Sequence, residues 1–158
     1  MNIVIVDDEA SVRNSISSIL ADKYEDLNIL ASAGSVIEGY EALLKHQPDL
    51  VFLDVEMPDG TGFELLNKLT EIDFKVIFIT AHEEYALGAI KVSALDFVLK
   101  PFGAEDICHA VDRARTLINR EEEQLKIKPL QENIENRKVL QRIVLHTSDN
   151  LHIVEIKE

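Results

Sequence analysis

Residues 50–62 read LVFLDVEMPDGTG. Leu50, Val51, Phe52 and Leu53 run unbroken into Asp54, and the turn residues Pro58 and Gly60 follow closely. A short apolar run bounded by turn residues is the pattern of a strand covered on both faces, as in a parallel sheet. An acidic side chain at its carboxyl end stands where open α/β sheets bind ligands. Taken alone, Asp54 could equally cap its own turn.

Outward from this stretch, strands and helices alternate. Asn2–Val6 is an apolar run and reads as the first strand, followed by Val12, Ile16, Ile19 and Leu20 at helical spacing. Residues 27–33 read as a second strand, and Val36, Tyr40, Leu43 and Leu44 mark a helix closed by Gln47-Pro48. After the third strand, 50–54, a short helix carries Phe63, Leu65, Leu66 and Leu69. Lys75–Thr80 reads as the fourth strand, 84–92 as a weaker helix with mixed faces, and Asp96–Leu99 as the fifth strand. Gly103 opens a long helix on Ile107, Val111, Ala114 and Ile118. This alternation predicts right-handed βαβ crossovers and a parallel sheet with helices on both faces. The expected fold is a doubly wound α/β domain with a five-stranded parallel sheet, flavodoxin-like, in strand order 2-1-3-4-5.

The tail differs. Helical pattern continues past Arg120 to Leu125, and Pro129 is expected to interrupt it. Residues 142–146 and 151–156 then alternate around Thr147-Ser148-Asp149-Asn150, a β-hairpin pattern. Two strands alone are rarely stable in water, so the hairpin is read as the opening of a second domain cut short. The expected organisation is a first domain over 1–122, a helical linker over 123–138 and a fragment over 139–158.

Composition narrows the function classes. The chain's 158 residues suffice for one ordinary domain with a buried core plus an appendage. Cys108 is the lone cysteine, which excludes an intramolecular disulfide and suits a reducing cytoplasm. It reads as a packing residue. With one cysteine and scattered histidines, a zinc site is not expected. No apolar stretch approaches a membrane span, and the apolar start runs into Asp7-Asp8-Glu9 rather than an export signal. No membrane partner is expected. The net charge is −13, with 21 acidic and 10 basic residues in 1–120. Such acidity repels nucleic acid, whose phosphates call for Lys and Arg, and suits a cation or a basic partner.

The strand ends carry the chemistry. The first strand runs into Asp7-Asp8, the third into Asp54, the fourth ends in Thr80 and the fifth precedes Lys100. A parallel sheet brings all these ends to one edge. Converging carboxylates repel unless protons or a cation sit among them. A hard divalent ion with oxygen ligands, Mg²⁺ above all, meets that need. A carboxylate nucleophile, a metal, a hydroxyl and an ammonium around one point are equipment for holding a phosphoryl group. Singly, Thr80 could be plain β-propensity and Lys100 a solvated side chain; the conjunction carries the reading.

VDDE at 6–9, FLDVEMPDGTG at 52–62, ITA at 79–81 and LDFVLKPF at 95–102 resemble, in order, the signature positions of receiver domains of two-component response regulators. The resemblance covers roughly residues 1–120. It implies that Asp54 accepts a phosphoryl group from the phosphohistidine of a sensor histidine kinase. Asp8 and Asp54 would bind Mg²⁺, or Mn²⁺ in its place, with the backbone carbonyl of Glu56, Asp7 helping through water. Thr80 and Lys100 would each hold a phosphoryl oxygen, and Phe97 matches the aromatic switch position. The Lys100-Pro101 peptide is expected to be cis. A homodimer would form on the face of the fourth helix, fifth strand and fifth helix. Residues 80–102 are similar to receivers attached to LytTR-type DNA-binding domains, and 139–156 resemble the start of such a domain. DNA would then be bound only through the rest of that domain, missing from this chain.

Three other readings compete. A receiver used only for interaction is disfavoured by the full set Asp7, Asp8, Asp54, Thr80 and Lys100. A phosphatase of the haloacid-dehalogenase type needs an Asp two residues past its nucleophile, where this chain has Glu56. A flavodoxin-like cofactor binder lacks a phosphate loop after the first strand. The expected chemistry is self-phosphorylation and autodephosphorylation at Asp54, not turnover of a substrate. His82 lies near the site, whereas His109, His146 and His152 share no ligand spacing.

Overall fold

The computed structural model describes residues 1–135, 142–146 and 151–155. Strands β1 (Asn2–Val6), β2 (Asn28–Ala33), β3 (Leu50–Leu53), β4 (Lys75–Thr80) and β5 (Asp96–Leu99) form one sheet, every neighbouring pair parallel, in order β2-β1-β3-β4-β5. Helices α1 (Ala10–Lys23), α2 (Val36–Lys45), α3 (Gly62–Asn67), α4 (Ala86–Lys91) and α5 (Ala104–Glu135) fill the crossovers or follow them. This is the doubly wound, flavodoxin-like sheet expected from the alternation.

Apolar strands that look continuous in sequence divide by parity. Val4, Val6, Val51, Leu53, Val76 and Phe78 point to one face and pack with Val36, Leu43, Leu65, Leu66 and Ala89 of α2, α3 and α4. Ile3, Ile5, Leu50, Phe52, Ile77 and Ile79 point to the other and pack with Ile16 and Leu20 of α1 and Ile107 and Val111 of α5. Both faces are dry, so neither parity tolerates a polar residue within the central strands. Each such side chain contributes about 1.5–3 kcal/mol relative to exposure.

Local chemistry sets the loop after β3. Glu56–Met57 and Gly60–Thr61 form a two-residue antiparallel ladder. Thr61 caps α3, its Oγ1 accepting from Glu64 N at 3.1 Å while Glu64 Oε2 accepts from Thr61 N at 2.8 Å. A Cβ on Gly62 would stand 2.3 Å from the Asp54 carbonyl oxygen, so this close backbone crossing admits only glycine. Asp59 ties the same loop to α2, its two oxygens accepting from Val36 N at 2.9 Å and Ile37 N at 3.0 Å.

The weak fourth helix is weaker than the sequence predicts. Glu83–Tyr85 is a 3₁₀ turn, and regular helix begins only at Ala86, without a side-chain cap. Leu87 and Ile90 are 73% and 72% exposed, while Ala89 alone is buried. Gly88 lies against Phe63, where a Cβ would be 2.9 Å from the ring.

One compact unit spans Met1–Arg115, and Thr116–Glu158 forms a second. Helical backbone in α5 crosses Pro129, where the sequence predicts an interruption. A proline there removes one donor and crowds one carbonyl, a local loss that 32 helical residues can carry. In the second unit, Arg142–His146 and Leu151–Glu155 pair antiparallel, Val144 opposite Ile153, as the alternation predicts. The expected turn at 147–150 and the last expected strand residue, Ile156, lie outside the described residues.

Candidate phosphoryl-acceptor site

The carboxyl ends of β1, β3, β4 and β5 meet at one edge. Asp7 follows β1 and Asp54 follows β3; they are 1% and 5% exposed. Their backbones continue the ladder, Asp7 N donating to Ala33 O at 3.0 Å and Asp54 N to Val6 O at 2.8 Å. Thr80 closes β4 with no exposure, and Lys100 N donates to its carbonyl at 2.8 Å. The Lys100-Pro101 peptide is cis.

Lys100 reaches inward from β5. Its Nζ donates to Asp54 Oδ2 and Glu9 Oε1, both at 2.9 Å. Asp7 Oδ2 is also 2.9 Å away but off the direction of a hydrogen bond, so that contact is an ion pair. The other oxygen of Asp7 accepts from Glu9 N at 2.9 Å, and Asp54 Oδ1 accepts from Glu56 N at 3.3 Å. Burial pushes the Asp7 carboxyl up from 3.8 to about 6, against the pull of Lys100. Burial alone would lower the Lys100 ammonium, but the carboxylates of Asp7, Asp54 and Glu9 around it hold it above its ordinary value.

Oxygens of Asp7, Glu9 and Asp54 all lie within 4.8 Å of one another, a spacing that one hard divalent cation can span. Carboxylates at this spacing, one of them driven toward protonation by burial, fit such an ion. Asp8 is exposed and stands outside that group, although its neighbours are in it. Glu9 was not singled out by sequence, because it reads as the residue preceding α1. It occupies that N-cap position but makes no capping hydrogen bond with its side chain. Arg13 was also missed. Its guanidinium donates to the carbonyls of Asp7 at 2.6 Å and Asp8 at 3.2 Å.

Around the rim, Tyr85 Oη donates to Glu56 Oε1 at 2.5 Å, and His82 Nε2 stands 3.2 Å from Glu56 Oε2. His82 N donates to Thr80 Oγ1 at 3.4 Å. The Phe63 ring lies 4.8 Å from Phe78 and 6.1 Å from Tyr85, linking α3, β4 and the turn before α4. Phe97 is half-buried opposite Phe78 and packs on the same cluster. On the other side, a groove of about 760 Å³ opens beside Lys100, lined by Val12, Ser15, Ile19, Pro101 and Phe102. Among the described residues, no helix is long and apolar enough to cross a membrane.

Known proteins resemble this chain in sequence and in fold. Residues 3–112 match the family described as the response regulator receiver domain. Sensory transduction protein LytT of Enterococcus faecalis is 39% identical over 116 residues, covering 72% of this chain and 48% of that protein. LytT of Bacillus anthracis is 29% identical over 160 residues, covering 100% of this chain and 63% of that protein. The chain thus spans about half to just under two-thirds of the length of these relatives. Among solved structures, the REC domain of AraT, a response regulator from Geobacillus stearothermophilus, superposes with a TM-score of 0.70 at 28% identity, covering 77% of this chain and 97% of that one. The LytTR-type resemblance agrees with these LytT relatives, and the chain belongs to the response regulator receiver domain family.

Proposed function

We propose that the chain is the phosphorylation switch of a two-component system, with Asp54 as acceptor. The observation that carries this is Lys100 Nζ at 2.9 Å from the Oδ2 of a buried Asp54. The carboxylate oxygen attacks phosphorus, the P–N bond of a kinase phosphohistidine breaks, and the imidazole leaves with the bonding pair. An acyl phosphate remains on Asp54. The apolar groove beside Lys100 suits the helix that presents such a histidine.

Asp8 and Asp54 would hold Mg²⁺, or Mn²⁺, with the Glu56 carbonyl, and Asp7 would assist through water. Bound there, the ion neutralises charge on the transferring phosphoryl oxygens. Lys100 then moves its ammonium from Asp54 Oδ2 to a phosphoryl oxygen, and the Thr80 hydroxyl takes another. Drawing Thr80 inward leaves room for Phe97 to turn in, which alters the face of α4, β5 and α5. Leu87, Ile90 and Leu99 expose apolar surface on that face, the surface a homodimer would cover. Autodephosphorylation at Asp54 ends the signal.

Transcriptional output belongs to a LytTR-type DNA-binding region, not to the acidic receiver. The cytoplasm, where kinase phosphohistidines are presented, is the compartment this reading requires. The test is the intact mass after incubation with Mg²⁺ and acetyl phosphate. A single phosphate adduct, lost in Asp54→Ala, is expected; no adduct with any donor, or multiple turnover of phosphate esters, defeats the reading.

A further inference from the structure

Arg13 leaves the first turn of α1, where its own N–H donates to Glu9 O at 3.2 Å. Its Nη1 donates to Asp7 O at 2.6 Å and to Asp8 O at 3.2 Å. Two successive carbonyls held by one guanidinium fix two successive peptide planes, since each plane is rigid. The Cα–Cβ bond of Asp8 lies between those planes, so the direction in which its side chain leaves the backbone is fixed. Charge-assisted hydrogen bonds of this kind are about twice as strong as neutral ones.

The guanidinium has a built seat. A Cβ on Gly34 would stand 3.3 Å from Arg13 Nη1, tighter than ordinary contact, so the bare glycine at the end of β2 leaves it room. Lys100 faces the same loop through the Asp7 and Glu9 carboxylates, whereas Arg13 takes only its carbonyls. The two cations have different tasks.

We infer that Arg13 is a positioning residue for the divalent ion, setting the departure of the Asp8 side chain through the two carbonyls it holds. The inference rests on the Mg²⁺ reading above. It makes a prediction of unusual sign. Removing a nearby positive charge should tighten cation binding if charge alone mattered. Removing an aiming group should loosen it, by the 10–100-fold typical of lost outer-shell partners.

The experiment is a calorimetric titration of the full chain with MgCl₂, beside urea unfolding in EDTA. Arg13→Gln is expected to weaken Mg²⁺ at least tenfold. Arg13→Lys, which keeps the charge but not the planar fork, is expected to fall between it and wild type. Lys23→Gln, which removes a positive charge at the far end of α1, is expected to bind like wild type. Affinity in Arg13→Gln equal to or tighter than wild type overturns the inference while leaving the Mg²⁺ reading intact. A wild-type chain that takes up no Mg²⁺ overturns both. If Arg13→Gln does not fold, Gly34→Ala decides, because its methyl presses on the guanidinium without changing charge. A weaker Mg²⁺ affinity supports the inference and an unchanged one sinks it.

Discussion

Lys100 Nζ stands 2.9 Å from Asp54 Oδ2, although the two residues follow strands that are not neighbours. β4 runs between them and ends in the buried hydroxyl of Thr80. The lysine therefore crosses above the residue with which, in the proposed function, it would share a phosphoryl group. Lys100→Met removes the cation and leaves Asp7 and Asp54 buried together. Loss of one partner from a buried ion pair costs on the order of 3–5 kcal/mol. Urea unfolding at pH 7 in EDTA should show a loss of that order, smaller at pH 5, where protonation of Asp7 relieves the site.

Asp7 should make the protein more stable as pH falls from 7 toward 4. Its carboxyl stands near 6 in the fold against 3.8 unfolded. Between those values the native state binds more protons than the unfolded chain, so stability declines as pH rises through 6. Full ionisation costs about 3 kcal/mol on this basis. Lys100, raised above its ordinary value, contributes stability that is lost only at alkaline pH and leaves this window untouched. Below about 4 the trend reverses, because Asp59, held low by Val36 N and Ile37 N, and Asp26, held low by Arg115, then protonate. Asp7→Asn should abolish the acid-side gain and raise the pH 7 stability, read from urea midpoints.

Adding Mg²⁺ should counter the same penalty. A ligand that binds only the folded state at 100 times its dissociation constant stabilises by about 2.7 kcal/mol. The thermal midpoint should rise with MgCl₂ and return with EDTA. In Asp54→Ala most of the rise should vanish.

Gly62→Ala places a methyl 2.3 Å from the Asp54 carbonyl. Overpacking of a tight site costs roughly 1–3 kcal/mol, and here the strained atom is backbone that cannot rotate away. We expect lower stability together with slower labelling by acetyl phosphate at Asp54. A variant that is less stable yet labelled at the normal rate would uncouple the loop crossing from the acceptor.

Leu87→Glu with Ile90→Glu should leave folding within about 0.5 kcal/mol, because both side chains are exposed. Sedimentation in a phosphate mimic should then show monomer where wild type shows dimer. Dimer in both would move the interface off this face.

Legibility followed burial. β1, β4 and β5 match their predicted ends residue for residue, because an unbroken apolar run with a polar residue at its end has few other readings. Asp7, Asp54, Thr80 and Lys100 were legible for the same reason: a parallel sheet gathers its strand ends whatever the loops do. Glu9 and Arg13 were not. Both sit at the start of α1, where acidic and basic residues are ordinary surface choices, and only the fold turns them toward Lys100 and toward two carbonyls. The α4 region was legible as weak but not as a 3₁₀ turn joined to a short helix, since the missing cap is a fact of geometry. Pro129 misled because proline's cost in a helix is local, and the residues around it decide whether helix resumes.

The parity of the strands has one more consequence. Val12 and Ile19, which line the groove beside Lys100, pack on the α1/α5 cluster, whereas Tyr85 and Phe97 pack on the α2/α3/α4 cluster. A single layer of backbone insulates the two. On the proposed reading, substitutions in the groove that retune which kinase is heard need not repack the aromatic side around Tyr85 and Phe97. Packed on the groove's own cluster, α5 is the element through which the sender's side meets the output face.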